Sequence, residues 1–316
     1  MDMAKQAITR FTTKLQPGGC PEATLIGNKA HTLCQLLAVG YSVPAAVVVH
    51  TTAFRAFLNK NHIIRHLRAR LSLLANPDFE WWTEYYTYVQ HLFHQGLLPD
   101  SLAWDVKEAV AQLGLLSVDS HHCYSVRSSA TIEDKPPLSF AGCFDTYLDV
   151  DARDVPEAMR KCWASMFSIR AMAYRARRSL SYENGDMAVI IQRMVYGKST
   201  GALCTVHPVT KRGDVVIIEG HVPQSGEASG DIAYRLLVHR DTLTLVEKRD
   251  VATSVVPEEL ACQLAQIGLS IEETLGGPQY VEWVIDKSDK VWILQARPVG
   301  EHVDTKWDYS IVGREP

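Results

Sequence analysis

The sequence predicts an α+β fold in two subdomains, residues 1–185 and 186–316. Three patterns carry that expectation. Helical periodicity dominates the first part, short β-rich runs dominate the second, and Tyr280 to Val299 alternates with period two on both sides of a polar turn. With 316 residues and 47% hydrophobic content, the chain can bury a substantial core.

Gly27-Asn28-Lys29 leads into a helical pattern with Ala30, Leu33, Cys34 and Leu37 on one face, and Gly40 is placed to end it. Val43 to Val49 reads as a strand, and Thr51 as the N-cap of a helix carrying Phe54, Phe57 and Leu58. A further helix runs from Asn61 to Leu74 before Pro77, and the aromatic run from Trp81 to Val89 has the near-helical spacing of core packing. Asp100 or Ser101 caps a helix through Leu113. Cys123 to Val126 is a short strand that ends in Arg127-Ser128-Ser129-Ala130-Thr131. These hydroxyls and the arginine, followed by Glu133, could wrap phosphate oxygens, although a Ser-rich turn with a capping role fits the same residues. Asp154 and Glu157 form a capping box for one helix through Arg178. After Gly185, strands are expected at 188–191, 201–205, 215–219, 234–238 and 243–248, then a helix from Pro257 to Leu275.

The 280–299 stretch reads as a hairpin. With its turn on Ser288 and Asp289, Glu282 faces Gln295, and Arg297 lies two residues further along the same face. A carboxylate, an amide oxygen and a guanidinium thus converge, which suits Mg²⁺ and phosphate, while a solvated surface face fits the alternation equally.

Other classes have little support. The net charge is −4 with dispersed Lys and Arg, so nucleic acid is not an expected partner. Seven cysteines without CxxC spacing point to reduced thiols and a cytoplasmic location. No apolar run is long enough to span a membrane, and no signal pattern opens the chain. Gly197-Lys198-Ser199-Thr200 ends like a P-loop, but Gln192 stands where that motif needs Gly. The histidines form no HExxH pattern, and neither GxSxG nor GxGxxG occurs after a strand.

Five ordered blocks carry a more specific signal: GNKAHTL from 27, CYSVRSSATIEDKPPLSFAG from 123, VIIQRMV from 189, TVHPVT from 205 and EWVIDKSDKVWILQARPV from 282. Together they resemble the N-terminal ATP-binding domain of the phosphoenolpyruvate synthase and pyruvate phosphate dikinase family, whose chemistry extends to rifampin phosphotransferases and glucan water dikinases. The resemblance implies an ATP-grasp fold, two α+β subdomains clamping ATP. It implies that Lys29 and Arg127 contact phosphates, that Thr131 and Glu133 belong to the phosphate loop, and that Gln192 and Met194 lie at the adenine hinge. Glu219 would sit near the adenine or ribose, Glu282 and Gln295 on Mg²⁺, and Arg297 on the transferring phosphoryl group.

The departures from the family are equally specific. Its Gly-Gly-Lys reads Gly27-Asn28-Lys29, and its Gly-Leu-Gly-Glu segment reads Gln224-Ser225-Gly226-Glu227 followed by a shortened Ala228-Ser229-Gly230. The acidic position of TxDP is His207, and no TxGGxxSH motif with its phospho-accepting histidine occurs in the 316 residues. The expectation is therefore a phosphotransferase acting from Mg·ATP on a small-molecule acceptor or on a histidine of a separate protein. An ATP-grasp ligase working through an acyl phosphate and a non-catalytic ATP-binding module are the alternatives.

Overall fold

A computed structural model describes residues 10–72, 79–115, 123–133, 142–207, 213–221, 234–250 and 256–299. A short strand that the periodicity does not mark, β1 (Thr12–Lys14), precedes helix α1 (Ala23–Ala38). Gly27 interrupts α1 at φ 74° and ψ 163°, so the regular helix that turns Ala30, Leu33 and Cys34 inward starts beyond it, as the Gly-Asn-Lys pattern predicts. A Cβ at Gly27 would fall 1.9 Å from the Ser129 carbonyl oxygen, so only glycine lets α1 come this close to the neighbouring strand. Cys20 and Cys34 are joined in a disulfide, their Cα atoms 5.6 Å apart. This corrects the expectation of seven reduced thiols: the fold brings the pair together without any CxxC spacing, and the other five cysteines form no disulfide.

Next come β2 (Ala46–Val49), α2 (Thr51–Lys60), α3 (Ile63–Leu71), α4 (Phe79–Gln95) and α5 (Asp100–Gly114). His50 and Pro99, not Thr51 and Asp100 or Ser101, occupy the positions before α2 and α5. The Thr51 hydroxyl donates instead to the Thr24 carbonyl, 2.8 Å away, tying α2 to α1. In α4 the aromatic run is packing, with Tyr85 and Val89 buried and the Trp81 and Tyr85 rings stacked at 5.4 Å.

Strand β3 (Cys123–Ala130) runs four residues past its expected end, and β4 (Thr146–Asp151) follows. Ser128 and Ser129 are therefore strand residues, not loop residues. Both are buried, because β3 is hydrogen-bonded on both sides, and the Ser129 hydroxyl donates to the Ile26 carbonyl and accepts from the Ala30 N–H. One long helix is expected from 154 to 178, yet two form, α6 (Val155–Ser165) and α7 (Ile169–Arg177). Ser168 caps α7 by accepting from the Ala171 N–H, which restarts the helix there. Asp154 makes no side-chain cap bond, and Glu157 is held by Arg160 and His94 rather than closing a capping box.

The remaining elements are β5 (Met187–Arg193), β6 (Gly197–Cys204), β7 (Val215–His221), β8 (Tyr234–His239), β9 (Leu245–Asp250), α8 (Glu258–Leu275), β10 (Gln279–Asp286) and β11 (Val291–Pro298). Among the described residues they complete two sheets, ordered β1-β2-β5-β3-β4 and β11-β10-β6-β7-β8-β9. The first of these strands, β5, belongs to the first sheet, paired with β2 and β3, so residues 194–196 are the link between sheets.

Alternation along the buried strands separates two cores. Val47, Val49, Val126, Val189 and Ile191 pack against Phe54, Phe57 and Trp163 of the helical layer. Ala46, Val48, Ala188 and Ile190 face the other way, onto α1, and join the core under the second sheet with Leu203, Ile218, Leu264 and Trp283. Helix α1 is thus common to both sheets. No helix among the described residues is long and apolar enough to cross a membrane.

Candidate functional site

Between the two sheets, beside the 194–196 link, lies a cleft of about 870 Å³. Its floor on one side is the β10–β11 hairpin. Glu282 is opposite Gln295, as the alternation predicts, but a bulge follows, and Trp283 pairs with Ile293. Leu294 is the additional residue. Released from regular pairing, its carbonyl accepts from Nη1 of Arg127 at 2.6 Å. Tyr280 faces Arg297, whose guanidinium lies over the phenol ring at 4.5 Å, a cation–π contact that holds the arginine at the cleft wall.

Arg127 reaches across from β3 in the first sheet. Its Nη2 donates to Glu282 Oε2 and Gln295 Oε1, 3.0 Å to each, and its Nη1 also approaches Gln192 Oε1 at 3.4 Å. The guanidinium is almost wholly buried, so these charge-assisted bonds act in a medium of low polarity, where they are strongest. Gln192 is fixed in turn by donating to the Pro44 carbonyl, 3.2 Å away.

Lys29 enters from α1, just beyond the Gly27 break. Its ammonium donates to the Ser128 carbonyl at 3.0 Å and lies 3.4 Å from Glu133 Oε1, both side chains being buried. Asn28, the departure from Gly-Gly-Lys, donates its amide to the carbonyls of Thr131 and Glu133 and so pins the turn after β3.

The structure thus brings Lys29, Arg127, Glu133, Gln192, Met194, Glu282, Gln295 and Arg297 to one cleft. Thr131 and Glu219 do not line it, although Glu219 lies in the cross-strand row of Ala202, Glu282 and Gln295. Thr131 fixes a turn, its hydroxyl accepting from the Asp186 N–H and its own N–H donating to the Asp186 carbonyl. Glu219 is buried in an ion pair with Arg235, and burial pushes its carboxyl upward against the pull of that arginine. Two residues further along the same strand, His221 takes the lining position, with Thr200 and Val284 beside it in register. Burial holds its imidazole below the ordinary value of 6.5, so it is neutral at pH 7.

The cleft wall is mixed in chemistry. Lys29, Arg127 and Arg297 line it as charged groups, whereas Leu148, Met194, Val195 and Val284 give apolar wall. Tyr196 closes the link side by donating to Asp149 Oδ1 at 2.6 Å. Sequence reasoning passes over Asp149 and Leu148 because β4 has weak alternation. They form a bulge opposite β3, between the Val126↔Tyr147 and Tyr124↔Val150 pairs, with Asp149 at φ 53°.

Among the described residues no group of three or more His, Cys, Asp or Glu side chains is arranged to hold a metal. Glu282 and Gln295 nevertheless suit a hard cation that takes its other ligands from phosphate and water. The guanidinium nitrogen equidistant from both oxygens shows that this pair already accommodates positive charge. The Gln224–Gly230 segment and residues 134–141 lie outside the described residues. His207, in the place of the family's acid, is buried away from this lining.

Comparison with known proteins identifies a family. Residues 23–228 and 224–309 match the family described as pyruvate phosphate dikinase, AMP/ATP-binding domain. The chain is 30% identical over 308 residues to a probable phosphoenolpyruvate synthase of Methanocaldococcus jannaschii, covering 88% of this chain and 26% of that protein. It is likewise 30% identical over 305 residues to a rifampicin phosphotransferase of Bacillus subtilis, covering 88% and 34%. The chain therefore spans about a quarter to a third of the length of these two relatives. Among solved structures, carboxyaminoimidazole ribonucleotide synthase from Aspergillus clavatus, complexed with ATP, aligns with 90% of this chain and 47% of its own at 10% identity and a TM-score of 0.40, a distant likeness.

Proposed function

Given that the chain belongs to the pyruvate phosphate dikinase AMP/ATP-binding domain family, we propose that it holds Mg·ATP between its two sheets, as an ATP-grasp domain, and transfers a phosphoryl group. The acceptor is a small molecule or a histidine on a separate protein. One observation carries this reading: three cationic side chains from three different elements, Lys29, Arg127 and Arg297, line one cleft together with Glu282 and Gln295.

The chemistry follows from that convergence. Phosphoryl transfer passes through a loose transition state whose charge spreads over the phosphoryl oxygens, so the protein contributes mainly position and positive charge. Lys29, fixed by Ser128 and Glu133, and Arg297, fixed on Tyr280, are preorganised donors for those oxygens. Glu282 and Gln295 would hold the metal, which when bound neutralises phosphate charge. The apolar wall of Met194, Val195 and Val284 suits a base, with neutral His221 as an uncharged polar neighbour. Asp149 and Tyr196 bound the same region.

Glu282→Ala and Arg297→Ala are each expected to abolish transfer while the far-UV circular dichroism stays that of the wild type. Turnover at the wild-type rate in either folded variant would sink the reading. With candidate acceptors, ADP plus phosphorylated acceptor marks a kinase, and AMP plus phosphate marks a dikinase. ADP plus an amide product would replace the proposal by a ligase, and ATP binding without turnover by a binding module.

A further inference from the structure

Arg127 does more in this arrangement than wait for phosphate. Its Nη2 lies 3.0 Å from Glu282 Oε2 and 3.0 Å from Gln295 Oε1, the two oxygens available for a metal. A cation bound to those oxygens and a guanidinium nitrogen cannot share that space, and like charges so close repel strongly in a buried site. We propose that Arg127 is an internal placeholder for the metal: it occupies the metal's ligands in the nucleotide-free chain and makes divalent-cation binding conditional on nucleotide. This inference rests on the nucleotide reading above and adds an order of events to it.

Two observations support exchange over permanent occupancy. The guanidinium is held incompletely, since its buried Nε has no hydrogen-bond acceptor among the described residues. Phosphate oxygens would offer that fork a fuller set of acceptors. Moreover, Glu282 is about a third exposed on the cleft side, so it remains reachable when Arg127 withdraws. Phosphates entering the cleft draw the guanidinium toward themselves, and the metal they carry takes over Glu282 and Gln295. Without nucleotide the two oxygens keep a counter-charge, which avoids leaving a half-buried carboxylate unpaired. The same bonds tie β3 of the first sheet to the β10–β11 hairpin of the second, so the exchange also changes what joins the two walls.

The experiment is titration of the nucleotide-free chain with Mn²⁺ alone, reading the free ion by electron paramagnetic resonance. Arg127→Gln is expected to bind Mn²⁺ at least about tenfold more tightly than the wild type, the effect of removing one nearby positive charge. Arg127→Lys, which keeps the charge, stays near the wild type, and Arg127→Gln combined with Glu282→Gln loses the gain. A folded Arg127→Gln without the gain, an equal gain in Arg127→Lys, or a gain that survives Glu282→Gln overturns the proposal. So does micromolar Mn²⁺ binding to the nucleotide-free wild type, which requires no variant. ATP binding is followed separately by calorimetry: if ATP fails to bind while the Mn²⁺ pattern holds, the nucleotide reading and the dependence on nucleotide fall, and only Arg127's occupation of the metal's oxygens stands.

Discussion

Lys29 and Glu133 are the residues on which local burial acts most directly. Both lie almost wholly out of water, 3.4 Å apart, in a setting where neither charge is tolerable alone. Lys29→Ala should cost roughly 3 kcal/mol of stability, because it leaves Glu133 buried without its partner. The Lys29→Ala/Glu133→Ala double variant should lose less than Lys29→Ala alone, by urea denaturation. Additive losses would show that the two side chains do not act as a pair. At this scale the GNKA block marks Lys29 in the sequence, whereas Thr131 and Glu219 show how a motif position can carry another role. The Thr131 hydroxyl is committed to Asp186, and the Glu219 carboxylate to Arg235 on the adjacent strand. Neither partner is a sequence neighbour, so nothing local reveals the commitment.

At the scale of the element, the hairpin owes its geometry to Asp286. Against a desolvation that would raise it, hydrogen bonds from the Ser288 hydroxyl, the Trp292 indole and the N–H groups of Ser288 and Lys290 hold its carboxyl down to about 2. A carboxyl depressed from 3.8 contributes stability that is present above pH 3.8 and is lost as pH falls through about 2. Asp286→Asn should therefore destabilise the chain by about 1–2 kcal/mol at pH 7. It should also remove this part of the stability loss between pH 3.8 and 2, in denaturation followed by tryptophan fluorescence. An unchanged acid limb would show that Asp286 does not set it. The period-two alternation makes the Glu282–Gln295 pairing legible, since one face of each strand is buried. It does not reveal the bulge at Leu294, which depends on how the turn and the approaching Arg127 share backbone carbonyls. The 154–178 helix is a second case. Its apolar stripe continues, but Ser168 finds the Ala171 N–H and starts a new helix, an outcome that spacing alone does not decide.

At the scale of the molecule, α1 joins the two sheets, and Gly27 sets how closely it sits on β3. Gly27→Ala would drive a methyl into the Ser129 backbone at a φ of 74° that disfavours any side chain. A loss on the order of 3 kcal/mol is expected, in one cooperative thermal transition, because α1 packs against strands of both sheets. A shift under about 0.5 kcal/mol would show that α1 relaxes away from β3 without consequence.

By itself the sequence determined the α+β class, the strands and helices with clear periodicity, the facing of Glu282 and Gln295, and the ordered blocks that mark the family. These features depend on near neighbours in the chain and on a side-chain pattern of period 2 or 3.6. Only the tertiary structure decided that β5 belongs to the first sheet, that Cys20 meets Cys34, that Glu219 is taken up by Arg235 while His221 lines the cleft, and that Arg127 spans both walls to hold Glu282 and Gln295. Each of those is a contact between residues far apart in sequence or a choice of sheet edge. Such choices are made by which buried polar group finds a partner when the two sheets come together, and no local pattern records them.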